Sequence, residues 1–289
     1  MPPPGLELPL ELAAVEILTF HYSNQGAEAR QLRLPDEDAV KASGNFFAVF
    51  DGVTLEHQSP YPNPSPAALA AQVAVDTSYE AYQSASQKSE ALVLEAFRKA
   101  NKRVEEYNQS LGITPATVNY LDKQYAAAVG ALGFIEGGRL FYGQINDCGV
   151  AVYDNQLRQV ASSIIAGGYE AWLVEMREKQ GYAPDSQEEH QYVRRNLVNK
   201  TVRLAGGQEL AFGVLTGEPE ANQFVRTGNV QVRPGWTVVC YSDGFIPHLE
   251  DNKVIQKLAE APRQEIEAYL RTFRSYPYTK ERSMIVVRV

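Results

Sequence analysis

The spacing of apolar and polar residues changes several times along this chain. "VEILTFHY" (15–22) opens with β-branched and aromatic residues and predicts a strand. "NFFAVFDG" (45–52) is a short unbroken apolar run closed by glycine, which predicts a buried strand. After the proline-rich "YPNPSP" the period becomes helical. "PAALAAQVAVDTSYEAYQSA" begins with Pro66 at a first helical turn. "SEALVLEAFRKANKRVEEYNQSLG" carries Leu92, Leu94, Phe97 and Val104 near helical spacing and ends at Gly112. The next stretch, 126–160, reads as three strands, with hairpin turns at Glu136-Gly137-Gly138 and Asp154-Asn155.

Residues 168–200 turn polar and helical and read as a surface insertion; Trp172 and Trp236 are candidates for shaping a lid, though a plain insertion is the simpler reading. "VRPGWTVVCYSDGF" predicts a turn, a strand and a second Asp-Gly. "EAPRQEIEAYLRTF" predicts a helix with Pro262 near its start, and "SMIVVRV" a last strand. Strands and helices come in blocks, so an α+β layered fold with antiparallel sheets is expected.

The 289 residues suffice for one large domain or two small ones. A net charge of −8 with no lysine-arginine block argues against a nucleic-acid partner. Cys148 and Cys240 form no CxxC pair, which fits a reduced, cytoplasmic protein. No signal peptide is expected, and the longest apolar run, "YAAAVGALGFI", is too short and glycine-rich for a membrane span.

Candidate chemistry lies in acids at strand ends. "RLPDEDAV" holds Arg33, Asp36, Glu37 and Asp38; "FDG" holds Asp51 and Gly52; "INDCG" holds Asp147; "YSDGF" holds Asp243; Glu281 precedes the last strand. Taken singly, each has an ordinary explanation: Asp-Gly is a common turn, and "DEDA" is a common acidic face or helix start. Brought together they would repel one another, and a hard divalent cation with oxygen ligands would relieve that.

In this order the motifs resemble the metal-dependent protein phosphatase 2C family, over about Val15 to Val289. Arg33 stands four residues before Glu37-Asp38, as in the family's first motif, and "FFAVFDG" matches the second. "LFYGQINDCGVAVYD" matches the third, with Asn146 and Cys148 in place of glycine and serine. "GWTVVCYSDGF" matches the fourth, and an acid before the terminal strand the fifth.

The resemblance implies one catalytic domain over 1–289, a four-layer α-β-β-α sandwich with two central antiparallel sheets. It implies two or three Mg2+ or Mn2+ ions and a phosphoprotein substrate, whose phosphoserine or phosphothreonine ester a metal-bridging hydroxide would attack. Asp51 would bridge two ions, with the Gly52 carbonyl on one of them. Asp243 and Glu281 would ligate metal, and Asp147 a weaker third ion. Arg33 would hold the phosphate. Glu37 and Asp38 would support the site through water or neighbouring ligands.

The chain departs from the family pattern in three places. Val53-Thr54-Leu55 stand where the family has His-Gly-Gly; His57 is nearby, and reads as a surface residue. Counting back from Ser283, the family's last aspartate falls on Lys280, and a one-residue shift lets Glu281 serve. "QYA" replaces a Gly-Ser/Thr-Thr. These departures support an alternative, a catalytically inactive binding or regulatory module.

Other chemistries fit less well. A haloacid-dehalogenase-type phosphatase needs a second aspartate two residues after the first, where this chain has Val53. There is no G-x-S-x-G, and His21, His57, His190 and His248 show no zinc-ligand spacing.

Overall fold

The computed structural model describes residues 15–24, 35–55, 62–163, 169–184, 186–203, 207, 209–275, 277–278 and 280–289. Its frame is a pair of five-stranded sheets, antiparallel at every pairing. One sheet runs β1 (Glu16–Tyr22), β12 (Arg282–Arg288), β11 (Thr237–Tyr241), β6 (Gly149–Tyr153), β7 (Gln159–Ser162) in spatial order. The other runs β10 (Arg226–Gln231), β5 (Arg139–Ile145), β4 (Ala128–Glu136), β3 (Phe46–Gly52), β2 (Ala39–Ser43). A small pair, β8 (Thr201–Arg203) and β9 (Glu209–Ala211), stands apart from both.

Strand alternation creates the layers. In β3, Phe46, Ala48 and Phe50 face the helices α1 (Pro66–Ser84) and α2 (Glu90–Ser110), where they meet Ala70, Ala74, Val93 and Phe97. Phe47 and Val49 face the other way, into a cluster shared by both sheets with Val150, Val152, Val238, Cys240, Ile285 and Val287. On the far face of the sheet that holds β1, β12 and β11, Phe20, Tyr241, Met284 and Val286 pack against α6 (Asn252–Glu260) and α7 (Arg263–Leu270) through Val254, Leu258, Ile266 and Leu270. A short α5 (Ile246–Leu249) precedes them. The result is the expected four layers, helix–sheet–sheet–helix. α1 starts cleanly because Ser65 caps the Ala68 amide ahead of Pro66.

Three details differ from the sequence reading. The stretch 126–160 holds four strands, because Asn146, in a left-handed conformation (φ 67°), ends β5 and sends the chain into the opposite sheet as β6. "DEDA" is no helix start; it leads directly into β2. α6 precedes the helix expected at Pro262. The polar stretch 168–200 carries α3 (Tyr169–Gln180) and α4 (Gln187–Asn196), held by a small cluster of Met176, Val193 and Leu197. No helix among the described residues is long and apolar enough to cross a membrane.

Candidate metal centre

The alternation that builds the inter-sheet core also gathers the acids. Along β3, Phe47, Val49 and Asp51 share the inner face, so the last inward residue is a carboxylate. Along β12 the inward set Ile285 and Val287 continues back through Ser283 to Glu281. Along β11 the set Val238 and Cys240 continues to Ser242, and Val40 of β2 continues back to Asp38. Strands from both sheets therefore run out of apolar residues at the same end of the core and finish in acids and serines.

Hydrogen bonds hold this end in shape. Glu281 Oε1 accepts from the backbone amides of Glu37, at 2.7 Å, and Asp38, at 2.8 Å. Ser242 Oγ donates to Asp38 Oδ2 at 2.8 Å, and the Ser283 amide donates to Ser242 Oγ at 2.9 Å. Buried Glu37 takes hydrogen bonds from the hydroxyls of Thr54 and Ser65. Arg194 of α4 donates to the Thr54 carbonyl, and its charge favours ionised Glu37.

Both Asp-Gly pairs turn out to be close contacts between elements rather than ordinary turns. A Cβ on Gly52 would lie 2.6 Å from the Ala67 carbonyl in the first turn of α1. A Cβ on Gly244 would lie 2.1 Å from the Glu281 carbonyl oxygen. The second contact lets the turn at Asp243–Phe245 lie against the entry to β12, which brings Asp243 beside 280–281.

The electrostatics follow from burial and crowding. Burial, then the charges of Asp38, Asp243, Asp147 and Glu281, push the Asp51 carboxyl well above its ordinary range. Burial raises Asp38 to about 7, with Asp243 and Asp36 adding to the rise. Glu281 is raised to about 8 by burial and by Asp38. Asp147 reaches about 6 through burial and Asp243, while Lys280 pulls it down. Burial also raises Glu37. Oxygen donors in this number, short of compensating charge, suit a hard divalent cation, so the donor set fits Mg2+ or Mn2+.

The structure thus brings Asp38, Asp51, Asp147, Asp243 and Glu281 into one electrostatic cluster, with Glu37 at its edge. Arg33 and His57 lie outside the described residues. Trp236 packs against the inter-sheet core at the start of β11, at the far end of that strand from Asp243.

Two further residues enter: Lys280, which the count back from Ser283 put at the family's last aspartate, and His21, which no motif marked. Lys280 Nζ lies 3.5 Å from Asp243 Oδ2. His21 stands beside Ser283 across the β1–β12 pairing, and its Nδ1 is 2.8 Å from Ser283 Oγ. One ligand atom each from His21, Asp38 and Glu281 lie within 4.8 Å of one another. The only advance signal for His21 was its place near the end of a strand, 262 residues from its neighbour.

A cavity of about 210 Å³ opens past the end of β3, at Val53, and none of the clustered acids lines it. Val53, Tyr120, Tyr125, His190, Arg194 and Phe212 are among its lining residues, so α4 forms one wall.

No protein-family model and no curated protein matches the sequence at a significant level. Solved structures do. The Mycobacterium tuberculosis serine/threonine phosphatase PstP aligns with TM-score 0.61 at 17% identity, over 95% of this chain and 98% of that one. The PstP catalytic domain in complex with two manganese ions aligns with TM-score 0.58 at 17% identity, over 94% and 96%. The PPM Ser-Thr phosphatase MsPP from Mycobacterium smegmatis, in complex with cacodylate, aligns with TM-score 0.56 at 16% identity, over 96% and 100%. Across nearly its whole length, this chain has the fold of the metal-dependent protein phosphatase 2C family.

Proposed function

We propose that this chain is a metal-dependent phosphatase that hydrolyses phosphoserine and phosphothreonine esters of proteins. The observation that carries the reading is the convergence of five carboxylates at one end of the inter-sheet core, with Asp51 feeling the charge of the other four. The chain's likeness in fold to a phosphatase domain that binds two manganese ions supports it.

Asp51, the Gly52 carbonyl, Asp38 and Glu281 would hold the cation, with Asp147 and Asp243 beside them. When bound, Mg2+ or Mn2+ supplies positive charge against the phosphoryl oxygens and makes a water acidic enough to attack phosphorus near neutral pH.

The chain's own residues position and orient. Two backbone amides fix Glu281 Oε1, and Ser242 fixes Asp38, so neither carboxylate must reorganise when a cation arrives. Thr54 and Ser65 orient Glu37 toward the same edge. Arg33 would fork onto the ester's phosphoryl oxygens, and Arg194 adds a second guanidinium near that edge. The cavity walled by α4 would receive the peptide next to the phosphorylated residue. A single domain with 168–200 as a surface insertion fits this arrangement, as does a cytoplasmic setting.

The test is Asp51→Asn. Manganese-dependent hydrolysis of p-nitrophenyl phosphate should disappear while the circular-dichroism spectrum stays that of the parent. Undiminished hydrolysis would overturn the assignment.

A second reading has its own support. Lys280 already pairs with Asp243, and Val53-Thr54-Leu55 offer no imidazole to the leaving group. Both suit a binding module without turnover. Such a module would show no manganese-dependent hydrolysis of phosphopeptides even at saturating metal.

A further inference from the structure

We propose that the Lys280 ammonium stands in for one of the cations at this centre, so that the chain binds a single divalent ion where its structural neighbour holds two. The proposal rests on the functional reading above and specifies how this particular site departs from it.

The cluster is not uniformly negative. Lys280 Nζ lies 3.5 Å from Asp243 Oδ2, and its charge also acts on Asp147. Those two acids close one side, and a lysine already serves them both. Across the cluster, at Asp38 and Glu281, the described residues include no lysine or arginine ion pair. There Glu281 Oε1 takes the backbone amides of Glu37 and Asp38, and one ligand atom each from His21, Asp38 and Glu281 lie within 4.8 Å of one another. Asp51 feels the charge of Asp38 and Glu281 and also that of Asp243 and Asp147.

Local geometry fixes the Lys280 backbone where it is, while the side chain, 42% exposed, reaches over to Asp243. Gly244 packs directly on the Glu281 carbonyl, so the Asp243 turn and the 280–281 segment cannot separate without losing that contact. Arg282, fully buried, donates to the Lys280 carbonyl at 2.9 Å and pins the backbone from below. An ammonium is a compact point charge with three donors. Set against Asp243, it meets the demand for positive charge there and repels a divalent ion approaching the same oxygens. The remaining place for a cation is the side formed by Asp51, Asp38 and Glu281, with the His21 imidazole in reach. A nitrogen donor at that position favours manganese or another transition ion over magnesium.

The experiment is manganese titration by calorimetry, with electron paramagnetic resonance of the loaded protein. Wild type should bind one ion per chain and give the six-line spectrum of an isolated Mn2+. Lys280→Arg, which keeps the charge, should also bind one. Lys280→Met, which keeps the length and removes the charge, should gain a second ion, and its spectrum should broaden through coupling between ions. Two ions in wild type, with affinities that Lys280→Met leaves within about twofold, would overturn the proposal while leaving the phosphatase reading in place. No binding in any of the three proteins would overturn both. The wild-type spectrum decides the matter even if Lys280→Met fails to fold, because a coupled pair there excludes a lysine in the second position.

Discussion

At the scale of single residues, two glycines do more than their Asp-Gly context suggests. Sequence reading assigns Asp-Gly to turns because glycine tolerates left-handed backbone. Neither Gly52 nor Gly244 uses that freedom; each is small because another backbone crosses within van der Waals distance. For Gly244→Ala, the new methyl would sit 2.1 Å from the Glu281 carbonyl oxygen and 2.8 Å from Arg282 Cβ. Backbone on one side and a buried residue on the other leave little room to yield. The expected cost is about 1–3 kcal/mol or more, as for overpacked cores. Manganese affinity should fall as well, since the new methyl displaces the Glu281 backbone. Urea denaturation and metal titration of the variant check both; wild-type stability would contradict the contact. The acids themselves were legible because they end predictable strands. The Lys280–Asp243 pair was not, because it depends on how closely two loops approach, and that approach is set by the missing side chain of Gly244.

At the scale of elements, the helix that follows β3 begins on a residue that also serves the site. Ser65 Oγ accepts from the Ala68 amide as the N-cap of α1, and the same hydroxyl donates to Glu37. Ser65→Ala should therefore lose about 1 kcal/mol for the cap. It should lose about 1.5–3 kcal/mol more for a hydrogen bond to a charged, buried group. The second loss depends on pH. Burial raises the Glu37 carboxyl, and Ser65 pulls it down, so removing Ser65 raises it further. The penalty should thus grow as pH rises and Glu37 is forced to ionise. Denaturation of parent and variant at pH 5 and pH 8 measures this, and an equal penalty at both would show that only the cap matters. Element type and order were mostly readable from period and punctuation. What escaped was the crossing from one sheet to the other at Asn146 and the entry of 36–38 into β2. Asparagine in place of glycine hid the first break. Acidic residues before a short edge strand look the same as a solvated surface.

At the scale of the whole molecule, the buried acids set a pH dependence that metal should reverse. Asp38, near 7, Glu281, near 8, and Asp51, also raised, hold their protons in the folded state more tightly than in an unfolded chain, where carboxyls ionise near pH 4. Above that pH the unfolded state binds fewer protons, so folding stability falls as pH rises, until the folded groups have ionised. His248 acts in the opposite sense. Burial against Phe245, Phe273 and Tyr278, and then the charge of Arg282, lower it to about 4. A histidine kept neutral in the fold costs stability only once pH drops below its unfolded value, near 6.5. The interval from pH 6.5 to 8.5 therefore leaves out His248 and is carried chiefly by the acids, with the buried thiols of Cys148 and Cys240, also raised, pulling the same way at its upper end. Metal-free protein should melt lower at pH 8.5 than at 6.5, by roughly 5 °C or more. Saturating manganese should close most of that gap, because a cation that binds ionised carboxylates stabilises only the fold that presents them together. A metal-free melting temperature that stays level or rises across this interval would mean that the carboxylates do not share one buried space. The metal centre would then lose its physical basis, whatever the likeness in fold.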